Sequence, residues 1–386
     1  MVSQQIIPGV YKEEIFPAPA LELIAGVPAF LGFAEKGPVN EAQRLTLWPK
    51  FAETFGQPSR EGYLYRAVEG FFSNGGRLCY VVRLQEENIS PKEALSNALK
   101  ELESLDAVDL ICAPEIVAGN PEIALVQQMQ GDIVKHCDER MGDRFAILDS
   151  PSFSPGAEIA KEILKHRQNL RSPNAALYFP WIKIETGSYI PPCGHIAGVY
   201  ARCDREVGPH KAPANYVLEG VLDLQFEVSD TDFAKLNPES EVAGVNVVRA
   251  FRGRGIRIWG ARTLSSDPVW RYINVRRLFL TAGRWIERNL ADVAFEPNDY
   301  KLWVRIEREL TAYFQSLFQG GALKGSTPQE GFYVKCDEET NPPEVRDAGK
   351  VVTEIGLAPT IPNEFIVVRL IHGTTGVSLT QTTSSP

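Results

Sequence analysis

No Cys-x-x-Cys pair occurs among the six cysteines of this 386-residue chain. The thiols therefore do not describe a disulfide framework, and reduced cysteines in a cytosolic compartment are expected. Long apolar runs are missing too. The most apolar stretch, Leu23 to Ala34, is interrupted by Gly26, Pro28 and Gly32 and falls far short of the roughly 20 residues that a membrane span needs. Positive charge is in deficit: 40 Lys and Arg face 49 Asp and Glu, a net charge of −9. That balance argues against nucleic acid as a main partner, because phosphate neutralisation needs clustered cations. The opening residues lack a basic start, an apolar segment and a small-residue cleavage site, so no signal peptide is expected. The absence of a short internal repeat argues against solenoids and propellers. What is present is ordinary globular composition, 44% hydrophobic and 23% charged, which excludes wholesale disorder. The length predicts roughly two or three domains.

The pattern from Val27 onward alternates between strand and helix. Short apolar runs at Val27–Ala34, Leu78–Leu84, Val108–Ala113, Phe145–Leu148 and Ala175–Phe179 alternate with amphipathic segments. Those segments are Tyr63–Ser73, Pro91–Leu105, Pro121–Arg140 and Glu158–Leu170. Such alternation predicts a largely parallel sheet with helices on both faces. Further strands are expected at Val245–Phe251 and Ile256–Arg262. After Asp267-Pro268 the composition shifts to two strongly amphipathic helices. In the first, Tyr272, Val275, Phe279, Ala282 and Ile286 form one stripe, and Arg277, Arg284 and Arg288 fall on the opposite side. The second carries Trp303, Ile306, Leu310, Tyr313 and Leu317. Strands are expected at Phe332–Cys336, Gly349–Leu357 and Glu364–Ile371, which makes a smaller α+β domain. The Ser/Thr-rich end from Thr374 has too little apolar content to fold alone.

At the other end, Val10, Tyr11, Lys12, Glu13, Glu14 and Ile15 read as a strand between Pro8 and Pro17 with no neighbour to pair with. An isolated strand leaves its backbone groups unsatisfied unless another chain supplies a ladder.

The chemistry of an active site is sought and not found. Arg252-Gly253-Arg254-Gly255 has the wrong spacing for a dinucleotide fingerprint and runs into a strand. Gly320-Gly321-Ala322-Leu323-Lys324-Gly325-Ser326-Thr327 resembles a phosphate loop but has Ser326 where the lysine belongs. His372-Gly373-Thr374 echoes a serine-protease histidine motif, with no nucleophile motif after it. Cys193, His195, Cys203 and His210 lack the ligand spacing of a structural zinc site and are read as chance placement in a Pro/Gly-rich loop. No catalytic, cofactor-binding or metal-ligating residue is assigned. The rival reading is an α/β enzyme that binds a nucleotide or small acidic ligand in the sheet crevice.

Eight pieces of sequence, in order, carry a resemblance. Pro8-Gly9-Val10-Tyr11-x-Glu13-Glu14 is followed by Gly26-Val27-Pro28 leading into Phe30-Leu31-Gly32-Phe33-Ala34-Glu35-Lys36-Gly37-Pro38. Next come Phe71-Phe72-x-Asn74-Gly75-Gly76 with Cys79-Tyr80-Val81-Val82-Arg83, Trp270-Arg271-Tyr272-Ile273-Asn274-Val275-Arg276-Arg277, and Phe295-Glu296-Pro297-Asn298-Asp299. Gly321-Ala322-Leu323-x-Gly325, Val334-Lys335-Cys336-Asp337 and Pro362-x-Glu364-Phe365 complete the set. Together they resemble the contractile tail sheath proteins of phage tails, R-type bacteriocins and related injection systems. Between about Asn88 and Ser240 only the pattern matches.

The resemblance implies an α/β fold with an outer subtilisin-like parallel-sheet domain without catalytic residues, over 22–266. It further implies an N-terminal arm over 1–21, a smaller α+β inner domain over 267–373, and a flexible tail over 374–386. It implies a structural protein, not an enzyme, that forms stacked hexameric rings around an inner tube protein, with baseplate and terminal cap proteins as further partners. Terminal arms would add strands to neighbouring subunits, through Val10–Ile15 at one end and Phe365, Val367, Arg369 and Ile371 at the other. Arg277, Arg284 and Arg288 are the residues expected to touch the tube. Assembly is expected in the cytoplasm without direct membrane insertion, as part of a particle that is released or anchored through other components.

Overall fold

The computed structural model describes residues 24–57, 62–119, 121–139, 143–153, 158–238 and 243–363, and the backbone of 367–373 and 376–382. The apolar run Pro28–Gly32 (β1) is buried at every position, as a strand covered on both faces must be. It is followed by Ala42–Leu45 (β2), Pro49–Phe55 (α1), Leu64–Ser73 (α2), Cys79–Arg83 (β3) and Pro91–Leu102 (α3). Ser90 caps α3 by accepting the Glu93 N–H at 3.2 Å, and Pro91 takes the first turn where its missing donor costs nothing. Leu110–Cys112 (β4), Ile123–Glu139 (α4), Phe145–Asp149 (β5), Ile159–Arg167 (α5) and Ala175–Phe179 (β6) continue the alternation.

A small antiparallel sheet then forms from Ile182–Ile184 (β7), Tyr189–Ile190 (β8) and Val221–Leu224 (β9). The helix Cys193–Glu206 (α6) lies between β8 and β9 in the chain, and Asp230–Leu236 (α7), Asn246–Phe251 (β10) and Gly255–Trp259 (β11) complete the large unit. The main sheet runs β11-β10-β6-β5-β4-β1-β3-β2. Its six central strands are parallel, and the edge strands β11 and β2 are antiparallel. One face is packed by α2 and α6 and the other by α3, α4 and α5. This mixed α/β layering follows the expectation from the sequence.

Helix α6 corrects one reading. The segment holding Cys193, His195 and Cys203 is a buried helix, not a Pro/Gly-rich loop. It crosses α2 so closely that a Cβ at Gly194 would overlap the Ala67 backbone. One at Gly198 would lie 2.5 Å from the Phe71 carbonyl oxygen. Two glycines four apart let two backbones approach. They are packing residues rather than loop signals.

The C-terminal unit is built on Ile273–Asn289 (α8) and Tyr300–Gln319 (α9). Asp299 caps α9 by accepting the N–H groups of Lys301 (2.9 Å) and Leu302 (3.1 Å). Leu302, Trp303, Ile306, Leu310 and Phe314 form its buried stripe, against which Phe332–Lys335 (β12) and Glu354–Leu357 (β13) pack. Val367–Gly373 (β14) and Gly376–Thr382 (β15) pair as an antiparallel hairpin. Part of the segment expected to be a flexible tail is thus a strand. Backbone pairing to β14 supplies what its Ser/Thr-rich side chains do not.

Candidate functional site

The terminal arms expected from the sequence would act at strand edges. Val10, Tyr11, Lys12, Glu13, Glu14 and Ile15 lie outside the described residues, as does Phe365. Val367, Arg369 and Ile371 lie on β14, opposite Thr382, Thr380 and Ser378 of β15. The β14–β15 pair joins no other sheet among the described residues. The β12–β13 pair is likewise two strands only, with Phe332 opposite Leu357 and Lys335 opposite Glu354. One face of β12–β13 rests on α9, while Tyr333 on the other is 51% exposed. Two-stranded sheets are marginal in water, and each open edge presents unpaired N–H and C=O groups. By contrast, the outer edge of β11 is paired within the chain: Asn215 and Leu218 donate to Ile258 and Ile256, and Ile258 donates to Tyr216.

The three arginines expected on an exposed face separate. Arg277 is 2% exposed and Arg284 6% exposed, a correction to the solvent-facing reading. Arg277 forms ion pairs with Asp204 at 2.5 Å and Asp109 at 3.3 Å, and its guanidinium lies 4.9 Å from the Tyr200 ring centroid. Arg284 reaches Asp109 at 3.7 Å and donates to the Asp106 carbonyl at 2.7 Å. Asp109 also accepts the N–H groups of Gly26 (2.9 Å) and Val27 (2.6 Å), just before β1. Burial works against the Arg277 charge, but Asp204 and Asp109 outweigh it and hold the guanidinium protonated. Two carboxylates and two guanidiniums thus tie α8 to the N-terminal ends of β1 and β4. A helical wheel distinguishes core from solvent, and α8 has packing on both sides. Arg288, in its last turn, is exposed.

The crevice where an α/β enzyme would hold a ligand lies beyond the C-terminal ends of β1 and β4, where the strand order reverses. Here it is filled by Glu115, whose Oε1 accepts the N–H groups of Tyr63 (2.7 Å) and Leu64 (2.8 Å) at the start of α2. Gly32 makes the room: a Cβ there would lie 2.8 Å from Glu115 Cγ and from Leu64 Cβ. Burial outweighs those backbone hydrogen bonds and pushes the Glu115 carboxyl up to about 7. The chain's own carboxyl occupies the helix N-terminus that a ligand phosphate would otherwise use. The loop resembling a phosphate loop is also self-satisfied, with Glu330 accepting from Ser326 N at 2.6 Å. Among the described residues, no group of three or more His, Cys, Asp or Glu could hold a metal ion. None of their helices is long and apolar enough to cross a membrane. The role of Glu115 was not legible in the sequence. The adjacent Pro114 after a strand is its only local signal.

Fold and site together define an α/β subunit with its ligand crevice filled from within and, among the described residues, open β-edges at its C-terminal end. A family model described as the phage tail sheath protein central domain matches residues 90–264, and one described as the phage tail sheath C-terminal domain matches 265–371. A chain in the cryo-EM structure of the anti-feeding prophage baseplate is 30% identical, covers 96% of this chain and 100% of its own length, and superposes with a TM-score of 0.78. A chain of the sheath complex of an extracellular contractile injection system in its contracted state is 30% identical, with coverage of 97% and 99% and a TM-score of 0.77. The tail sheath protein of Escherichia phage P2 is 25% identical over 231 residues, 55% of this chain and 54% of that protein. That of Salmonella phage ViI is 30% identical over 179 residues, 44% of this chain and 26% of that protein. The matches thus span between a quarter and about half of these curated relatives. The chain belongs to the contractile tail sheath family.

Proposed function

We propose that this chain is the sheath subunit of a phage tail-like contractile machine, polymerising as stacked hexameric rings around an inner tube and contracting to drive that tube through a target envelope. The observation that carries the reading is the pair of two-stranded sheets, β12–β13 and β14–β15, whose edges are open among the described residues. An arm from a neighbouring copy supplies the missing ladder by strand addition, and a head-to-tail contact that does not close generates a helical polymer. The outer α/β unit is read as subtilisin-like without catalytic residues, and the C-terminal unit as the inner domain. The tube protein, a baseplate and a terminal cap are the remaining partners, and assembly takes place in the cytoplasm. Neither nucleic acid nor direct membrane insertion enters the reading.

No nucleotide chemistry is needed if the extended lattice is metastable. A gain of about 1 kcal/mol per subunit, comparable with one hydrogen bond, sums across a cooperative lattice to a large driving force. Of the three arginines first considered for the tube, Arg288 is the exposed one and the one retained for that contact. Deleting Val2 to Ala20 should leave folded subunits that no longer form long sheaths in negative-stain images. Sheaths of normal length from the truncated chain would refute the arm reading, and tube attachment unchanged by Arg288→Glu would refute the contact.

A further inference from the structure

The turn between β10 and β11 is rich in arginine. Arg252-Gly253-Arg254-Gly255 is a tight turn, with Arg254 N donating to the Phe251 carbonyl at 2.9 Å and both glycines at positive φ. It holds Arg252 and Arg254 exposed at its tip, with half-buried Arg257 beside them. Across the two strands Arg249 stands directly opposite Arg257. Like charges in that position are destabilising. Asp230 neutralises Arg249 at 2.7 Å. Arg252, Arg254 and Arg257 have no carboxylate partner among the described residues; Arg257 instead donates to the Asn215 and Arg254 carbonyls. The isolated subunit therefore concentrates cationic charge at one point and leaves it unpaired.

An opposite concentration exists in the C-terminal unit. Glu338, Glu344 and Asp347 are exposed and pair with no cation among the described residues, whereas Glu339 already holds Lys335. No ion pair joins the two patches among the described residues. Helix α8 anchors the C-terminal unit at the N-terminal ends of β1 and β4, and Arg276 reaches Asn174 just before β6 at 2.6 Å. The arginine turn follows the C-terminal end of β10, which runs parallel to β6. A six-residue strand, about 20 Å long, separates the two ends of the sheet.

Resting on the sheath reading above, we propose that the β10–β11 turn of one copy docks onto the acidic 338–347 segment of a second copy. The contact joins two different patches and is therefore head-to-tail, so it extends from copy to copy as a ring or a helix. It is also salt-sensitive, since exposed charges are screened beyond about 10 Å at ordinary ionic strength.

The test compares the full-length chain with Arg252→Glu/Arg254→Glu, with Glu344→Arg/Asp347→Arg, and with all four changes combined. Sedimentation and negative-stain microscopy at low and high salt measure the concentration at which polymer forms. Thermal melting checks that each variant folds. Each double variant should raise that concentration by about tenfold or more, and the combined variant should restore it. Double variants that assemble like the parent chain, or a combined variant that rescues nothing, would overturn the docking contact and leave the sheath reading intact. A parent chain that forms no polymer at any salt concentration would overturn both.

Discussion

Glu115, three residues past β4, and Asp149, the last residue of β5, both accept backbone N–H at a helix start. Asp149 takes the Cys193 N–H at 2.9 Å, and burial pushes its carboxyl up to about 7, like that of Glu115. His166 and His195 shift the other way, since burial lowers both to about 4. The stability linked to the two carboxyls is full below their unfolded values near 4 and is lost as pH rises through 7. That linked to the two histidines is full above 6.5 and is lost as pH falls through 4. Between about pH 4.5 and 6.5 the two effects oppose each other and nearly cancel. Glu115→Gln/Asp149→Asn keeps the accepting oxygens and removes one side of the balance. Relative to the parent chain, the variant should lose stability steadily between pH 6.5 and 4.5, by up to ~1.4 kcal/mol per group per pH unit. Urea unfolding at the two pH values measures this, and parallel curves for variant and parent would contradict it.

At the scale of elements, the α2–α6 crossing shows how glycine acts in opposite ways. Gly194 and Gly198 lie against the α2 backbone, so a methyl group has nowhere to go. Gly194→Ala should destabilise by about 1–3 kcal/mol or more through overpacking. Gly283 sits inside α8 with nothing within 4 Å of its would-be Cβ, and Gly283→Ala should stabilise by about 0.5–1 kcal/mol through helix propensity alone. Denaturant midpoints of the two variants should move in opposite directions. A common direction would mean that α6 does not cross α2 as described. Helix α3 was legible because its signals are local, with Pro91 and the stripe that begins at Leu95 at fixed offsets. Helix α6 was not, because its burial on all sides erases the period and its glycines mimic a loop.

For the whole molecule, the Asp109–Arg277–Asp204 cluster with Arg284 is a buried joint between the large sheet unit and α8 of the C-terminal unit. It is buried and electrically balanced, and Asp109 binds the start of β1 as well as both arginines. Removing one partner strands the others without solvent. Arg277→Met should cost about 3–5 kcal/mol, read as a fall in unfolding free energy, whereas Arg288→Met at the exposed end of the same helix should be nearly neutral. An equal, small effect at both sites would show that Arg277 is solvated.

Patterns repeating within a few residues were sufficient for the α/β alternation, the buried strands β1 and β3 to β6, and the two amphipathic C-terminal helices. Each reflects a chain segment burying one face at a fixed period. The ordered motifs were likewise sufficient for the family. Only the tertiary arrangement decided that Arg277 and Arg284 face carboxylates instead of solvent, that Glu115 closes the crevice, and that Cys193 begins a central helix. Those outcomes depend on partners about 50 to 175 residues away along the chain, 51 for Glu115 with Leu64 and 168 for Arg277 with Asp109. Local periodicity reports how a segment divides its faces, and it carries no information about what charge or backbone the fold brings against them.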